Sequence, residues 1–563
     1  MKASSAVAVS LVSLLVAGSV ALAFAADPPF RFADVAKESG VDLLNIAGTK
    51  TKSYLIDSTG NGAAFLDYDR DGDMDILIVN GSSLARLKNG GDQMVALYRN
   101  DGPSPGSGQV HFTDVTAQSG LTRRGWGMGT CVADYDNDGF PDIYVTAFGT
   151  NVLWHNTGRG TFTDSGQAVN SGWSTGCAFG DFDRDGFVDL YVAHYLSREW
   201  ETVAPGGERT CKFMNIAIPC GPKPLKGEPD VLFRNTGNGT FVDATRAAGV
   251  SLPAGHYGFG VLFTDLDDDG WPDIYVASDS VPSLFFRNLQ NGTFAEQALR
   301  AGIAVSGDGR EQAGMGIDVG DYDGDGRLDL IKTHFSQDYT TIYRNLGGGL
   351  FADVSVRAGM RLGPQLGWGV GFVDLDNDGR LDVFVSNGHI YSDVDATGTS
   401  TYLQKKQVYR NIGNGRFQEV SREVGGAVLE PKSSRGTAFG DFDNDGDIDV
   451  LVVNNDDRPT LLRNDTAGGR WITIRLEGAA GNRDAIGARV TIEAAGSRQT
   501  TEVRSGGSYL SQNDLRVHFG LGDRTKADRL QIRWPNGRTE SATDLMSNQF
   551  YVAREGSGIK TGR

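Results

Sequence analysis

Asp67-Tyr68-Asp69-Arg70-Asp71-Gly72-Asp73-Met74-Asp75 sets acidic residues at positions 1, 3 and 5, a glycine at position 6 and a closing aspartate at position 9. The same pattern returns at Asp134–Asp142, Asp181–Asp189, Asp265–Asp273, Asp321–Asp329, Asp374–Asp382 and Asp441–Asp449. Carboxylates at alternate positions of a tight loop converge on one point. The glycine permits the turn, position 7 offers its carbonyl and position 9 closes the shell. An all-oxygen site of this size suits Ca2+, whereas Zn2+ prefers His and Cys. Asp and Gly also make metal-free turns, but a plain turn does not require four carboxylates crowded into nine residues.

The expected ligands fall into four ranks. Asp67, Asp134, Asp181, Asp265, Asp321, Asp374 and Asp441 stand at position 1, and Asp69, Asp136, Asp183, Asp267, Asp323, Asp376 and Asp443 at position 3. Asp71, Asp138, Asp185, Asp269, Asp325, Asp378 and Asp445 stand at position 5, and Asp75, Asp142, Asp189, Asp273, Asp329, Asp382 and Asp449 at position 9. Asp73 adds the position-7 carbonyl of the first loop. The set predicts about seven Ca2+ ions per chain.

The formal net charge of −18 argues against nucleic acid as a partner. The seven loops hold 31 of the 71 acidic residues, so seven divalent cations would leave a charge of only −4. The acidity therefore reads as metal sites rather than as a field for a basic partner.

Lys2, the apolar run Ala6–Phe24 and the spacing of Ala23 and Ala25 read as a secretory signal peptide over residues 1–25. No later stretch is apolar enough to span a membrane. In an exported protein Cys211 and Cys220, flanked by prolines, read as a disulfide that pins a loop. Cys131 and Cys177, on apolar strands, are expected to be buried free thiols.

The repeat extends beyond the loop. A glycine-rich strand precedes each copy, as at Gly125–Gly129 and Gly367–Gly369, and a β-branched or aromatic strand follows, as at Asp382-Val383-Phe384-Val385. A third strand ends in Arg-Asn or an equivalent (Arg99-Asn100, Arg234-Asn235, Arg410-Asn411), and a fourth opens on Phe (Phe112-Thr113-Asp114). Four short strands per unit, with loops 47 to 84 residues apart, are the signature of a propeller blade. Phe32-Ala33-Asp34-Val35 is an orphan fourth strand, and the seventh unit stops at its third, Leu462-Arg463-Asn464. Together they predict an all-β, seven-bladed β-propeller over 30–466, with one blade closed by both ends of the chain. An insertion over 197–228 interrupts it. A small β domain over 471–554 and a frayed tail over 555–563 follow.

Stretches such as Ala178-Phe179-Gly180-Asp181-Phe182 resemble the FG-GAP/VCBS repeats of integrin-α-type propellers. Asn482–Val490, Gly506-Gly507-Ser508-Tyr509-Leu510-Ser511-Gln512, His518–Gly522 and Trp534-Pro535-Asn536-Gly537 resemble the ASPIC/UnbV domain. The combination is similar to the cartilage acidic protein family and its bacterial relatives. The resemblance implies a secreted calcium-binding propeller and says little about activity.

Gly172-Trp173-Ser174-Thr175-Gly176 fits the G-x-S-x-G of hydrolases, but it leads into a strand rather than a helix, so no catalytic residue is assigned. Where the second strands end, on the face opposite the loops, stand His194, His334, Asn387 and Asn454, with Asp279 and His389 close by. Asn and His commonly cap strand ends; the sharper reading is a ligand site. The expected function is a secreted or periplasmic, monomeric, non-catalytic adhesion scaffold for an extracellular glycan or protein. A lyase-like polysaccharide-active enzyme using the His/Asp rim is the alternative.

Overall fold

A computed structural model describes residues 30–104, 108–197, 211–223, 225–251, 255–479 and 481–562. The expected signal peptide, and residues 198–210 and 224 of the insertion, lie outside the described residues. No helix among the described residues is long and apolar enough to cross a membrane.

The chain is all-β. Five four-stranded antiparallel sheets and one curled eight-stranded sheet carry the repeats. In each unit the aspartate loop links the first strand to the second. In the sixth unit, for example, Gly367–Val373 pairs with Asp382–Asn387, then Gln407–Asn411, then Phe417–Glu419. The eight-stranded sheet holds the second and third units, joined where Ser171–Trp173 pairs with Phe148–Thr150. Phe32–Asp34 pairs antiparallel with Thr460–Asn464, Phe32 opposite Asn464, and supplies the fourth strand of the last unit.

Packing explains the composition of the strands. Every residue of Asp382–Asn387 is buried, because a second strand is covered on both faces by neighbouring sheets. Val79 and Leu97 of the first unit, for instance, share a core with Val132, Ile143 and Val145 of the second. First strands are glycine-rich because other chain segments press on them: a Cβ on Gly180 would stand 2.5 Å from the Phe263 ring.

The C-terminal residues form two further four-stranded sheets. Arg470–Glu477 pairs with Val517–Gly522 and, in parallel, with Gln549–Arg554; Arg489–Ala494 pairs with Ser497–Glu502 and Lys526–Arg533. Their core is continuous with that of the repeats: Ile472, Ile474, Val490 and Trp534 lie in one cluster with Tyr135, Tyr144, Phe179 and Leu190. The loop Gly506–Gln512 runs between the first strands of several units. Leu510 O accepts from Thr130 N at 3.0 Å and Ser508 O from Ile317 N at 2.8 Å. A side chain at Gly62 would overlap the Leu510 carbonyl, which fixes glycine there.

Two expectations need correction. Residues 555–563 do not fray as a whole: Gly558–Thr561 forms a strand paired with Gln549–Arg554, seated by Ile559 packing on the core. Cys131 and Cys177 are not thiols. They lie on the first strands of adjacent units with Cα atoms 5.8 Å apart and are bonded to each other. Cys211 and Cys220 are bonded as well, closing a hairpin in the insertion.

Candidate metal loops and rim cavity

The seven loops share one hydrogen-bond scheme. The position-6 glycine, at φ of 94° in Gly72, donates its N–H to the position-1 carboxylate in every copy, from Gly72 to Asp67 through Gly446 to Asp441. Position 4 is left-handed as well (Arg70 62°, Asn137 62°, Asn377 54°), so small or Asn/Asp residues recur there. The position-7 N–H donates to the position-5 carboxylate, from Asp73 N to Asp71 through Asp447 N to Asp445.

The asparagine of the Arg-Asn motif secures each loop. Its N–H donates to the position-9 carboxylate in all seven units, as from Asn100 to Asp75 at 2.8 Å and from Asn464 to Asp449 at 2.8 Å. Its side chain donates twice more, to the position-8 carbonyl of its own loop and to the position-2 carbonyl of the loop one unit back. Asn156 reaches Tyr68 O, Asn235 reaches Tyr135 O, Asn288 Phe182 O, Asn345 Leu266 O, Asn411 Tyr322 O and Asn464 Leu375 O. Asn100, in the first unit, reaches Phe442 O of the seventh at 2.8 Å. In the third to sixth units the arginine of the motif grips outer carboxylate oxygens of the loop: Arg234 holds Asp183 and Asp185, and Arg344 holds Asp323 and Asp325. In the second unit His155 takes that place, 3.1 Å from Asp136, and the adjoining carboxylates lift it to about 9.

In all loops but the second these bonds leave inner oxygens free. Asp67 Oδ1, Asp69 Oδ1, Asp321 Oδ1, Asp323 Oδ1 and Asp376 Oδ1 are buried without a hydrogen-bond partner. Ligand oxygens of Asp67, Asp69 and Asp71 lie within 4.8 Å of one another, as do those of Asp265, Asp267 and Asp269. Burial, reinforced by neighbouring carboxylates, raises Asp67 to about 6, Asp181 and Asp321 to about 7 and Asp329 to about 9. Buried carboxylate oxygens with no donor, gathered on one point, fit a hard divalent cation.

The C-terminal sheets cover this face. Arg489 donates to Asp265 O at 2.7 Å, and Arg516 to Asp441 O at 2.8 Å. Asp484 accepts from Asp134 N, and His518 bonds Asn377.

The residues expected to form the opposite rim are turned inward. His194, His334, Asn387, His389 and Asn454 are all buried; only Asp279 is partly exposed. Asn454 donates to Arg458 O, closing the turn that follows its strand, and Asn387 donates to Lys405 O at the far end of a longer excursion. His334 bonds Thr341, and His194 bonds Asn170 and Ser174. The asparagines satisfy backbone carbonyls and the histidines bond neighbouring side chains, so these residues are spent inside the protein rather than facing solvent. The Ser174–His194 contact, 3.1 Å, pairs a hydroxyl with an imidazole, but both are buried and no carboxylate orients the ring Nδ1.

What the rim does hold is a cavity of about 340 Å³, built from residues that follow the second strands: Tyr195, Asp279, Phe335 and Tyr391. Phe213 and Pro222, from the disulfide-closed insertion, wall one side. The insertion is anchored where Ile216 and Ile218 pack on Val394. The cavity lies against an aromatic cluster that includes Tyr509, whose ring centroid is 4.7 Å from that of Trp368 and 5.8 Å from that of Phe259. Sequence reasoning missed these aromatics; their one signal was position, directly after each strand end.

The FG-GAP-like repeat model matches residues 67–145, 134–192, 226–276, 265–331, 334–385 and 393–452, and the ASPIC and UnbV model matches 478–560. Cartilage acidic protein 1 of Mus musculus is 25% identical over 494 residues, covering 85% of this chain and 71% of that protein. The Homo sapiens protein is 25% identical over 498 residues, covering 85% and 69%. Among solved structures, BBS1N in complex with ARL6DN aligns over 78% of this chain and 97% of its own, at 9% identity and a TM-score of 0.41. Since the repeat matches span more than half of the sequence, the chain belongs to the FG-GAP-like repeat family and carries an ASPIC and UnbV domain at its C-terminal end.

Proposed function

We propose that the chain is a secreted, monomeric, calcium-tied propeller of seven blades that binds an extracellular glycan or protein at the rim opposite its metal loops. The eight-stranded sheet counts as two blades, residues 30–466 as the ring, and Trp471 to Thr561 as a domain seated on one end of it. The succession of asparagine bonds supports a closed ring, because each loop is tied to the one before and the first to the seventh. Bound calcium supplies the positive charge that the inner carboxylate oxygens lack. Two disulfides favour an oxidising compartment.

The observation that carries the binding reading is the asymmetry between the two ends. Arg489 and Arg516 of the C-terminal domain occupy the loop end, while the other end opens into the cavity beside Asp279. Arraying the purified protein on glycans and extracellular proteins tests it, with Ala313→Trp, which fills the cavity, in parallel. Binding that disappears in the variant while melting is unchanged supports the rim. Binding that persists in the variant sinks it.

A further inference from the structure

Asp279 is the one charged side chain among the described residues lining the rim cavity. Its Oδ2 accepts from the Tyr195 hydroxyl at 2.6 Å and its Oδ1 from Ser280 Oγ at 2.8 Å. Neither partner neutralises it. The Lys223 charge that reaches it is itself held by Glu311 at 2.7 Å. Around this carboxylate stand Tyr195 and Phe259, stacked with centroids 4.5 Å apart, and Phe335 and Tyr391, 6.1 Å apart, with Phe213 5.4 Å from Tyr391.

We propose that the cavity binds an organic cation, an alkylammonium or quaternary ammonium group, seated on these rings with Asp279 as its counter-charge. An unneutralised carboxylate among aromatic faces attracts a weakly hydrated cation both by charge and through the ring quadrupoles. The same cluster already holds one cation this way: the Arg435 guanidinium, fully buried, lies 4.1 Å from the centroid of the Trp368 ring, and its hydrogen bonds go to hydroxyl and carbonyl oxygens, not to a carboxylate. Arg435 takes the Trp368 face, so the ligand seat lies toward Tyr195, Phe335 and Tyr391. A sugar fits less well. It needs several polar groups free to meet its hydroxyls, whereas Ser280 is spent on Asp279 and Ser58 on Leu55 O. A hard metal ion fits still less, since one carboxylate makes no oxygen shell.

This inference rests on the rim reading and narrows its ligand to one chemistry, carried either by a free small molecule or by a lysine-derived side chain of a partner protein. Titration calorimetry of the calcium-loaded full chain would compare choline, a trimethyl-lysine peptide and 3,3-dimethylbutan-1-ol, the neutral carbon isostere of choline. At least one ammonium compound should bind ten-fold or more tightly than the isostere, and which of the two does so identifies the source. Asp279→Asn should erase that preference, and Tyr391→Leu should reduce it at unchanged melting temperature, so that the result does not hang on one variant. Equal binding of choline and its isostere overturns the proposal, as does absence of binding by both ammonium compounds. If both fail while array binding still depends on an unfilled cavity, the cation is wrong and the rim stands. If array binding survives Ala313→Trp, the rim reading itself has failed.

Discussion

Asn100 Nδ2 donates to Phe442 O at 2.8 Å across 342 residues of sequence, joining the first aspartate loop to the seventh. The same amide donates to Met74 O at 3.0 Å, and its Oδ1 accepts from Gly102 N at 2.9 Å. Asn100→Ala would strand two buried carbonyls and is expected to cost about 2–4 kcal/mol. Urea unfolding measures it; a loss no larger than that of an exposed substitution would show that the two ends meet without relying on this bond.

Calcium removal tests the loops directly. All but the second gather carboxylates with an inner oxygen that has no donor, as with Asp321 and Asp323. Chelated protein should melt well below reloaded protein, because like charges are then left facing one another. Metal analysis after reloading should return about seven ions per chain, matching the seven loops. A content of zero or one, with unchanged melting, would mean that the asparagine and arginine bonds alone hold the loops.

The disulfides predict a simple count. With Cys131 bonded to Cys177 and Cys211 to Cys220, denatured non-reduced protein should contain no reactive thiol. Reduction should lower stability by roughly 2–4 kcal/mol per bridge, the longer loop giving the larger effect. Two thiols would leave one of the bridges unformed.

The loops were legible because their carboxylates are local: nine residues suffice to bring those side chains together. The Arg-Asn motif was visible too, but its purpose was not, since Asn235 meets Tyr135 O a hundred residues away. The Cys131–Cys177 bridge escaped for the same reason, as only the packing of two first strands brings those residues together. At the rim the sequence marked the strand ends correctly and misjudged their side chains. Whether His389 faces solvent or packs behind Phe335 is decided by turn geometry, which no spacing encodes.

Tyr509, in the stretch that carries part of the ASPIC/UnbV resemblance, is fully buried and donates to Thr59 O at 3.0 Å. Tyr509→Ala should cost about 3–5 kcal/mol through the cavity it leaves, and Tyr509→Phe only about 1–3 kcal/mol for the unsatisfied carbonyl. The alanine variant should also disturb the rim cavity, because the ring packs on Trp368 and Phe259 there. An alanine variant as stable as the parent would mean that the C-terminal domain undocks freely.

His389 makes stability depend on pH in a defined direction. The ring is fully buried; its Nδ1 accepts from Tyr391 N at 3.1 Å and its Nε2 contacts Ser336 Oγ at 3.2 Å. Burial, with the Arg435 charge beside it, lowers its pKa from 6.5 to about 3. Between those values the unfolded chain binds a proton that the folded one refuses, so stability rises with pH. The contribution is complete above the unfolded value and is lost progressively as pH falls toward the folded one. By pH 5 the loss attributable to this ring is about 2 kcal/mol. Other buried groups titrate as well, so the measurement is a difference: urea unfolding in saturating calcium at pH 7.5 and pH 5, for the parent and for His389→Gln. Glutamine carries no proton to gain, and the stability lost between the two pH values should shrink by about 2 kcal/mol in the variant. An unchanged loss would show that His389 already carries its proton in the folded protein, and that the Tyr391 N–H does not hold the ring neutral.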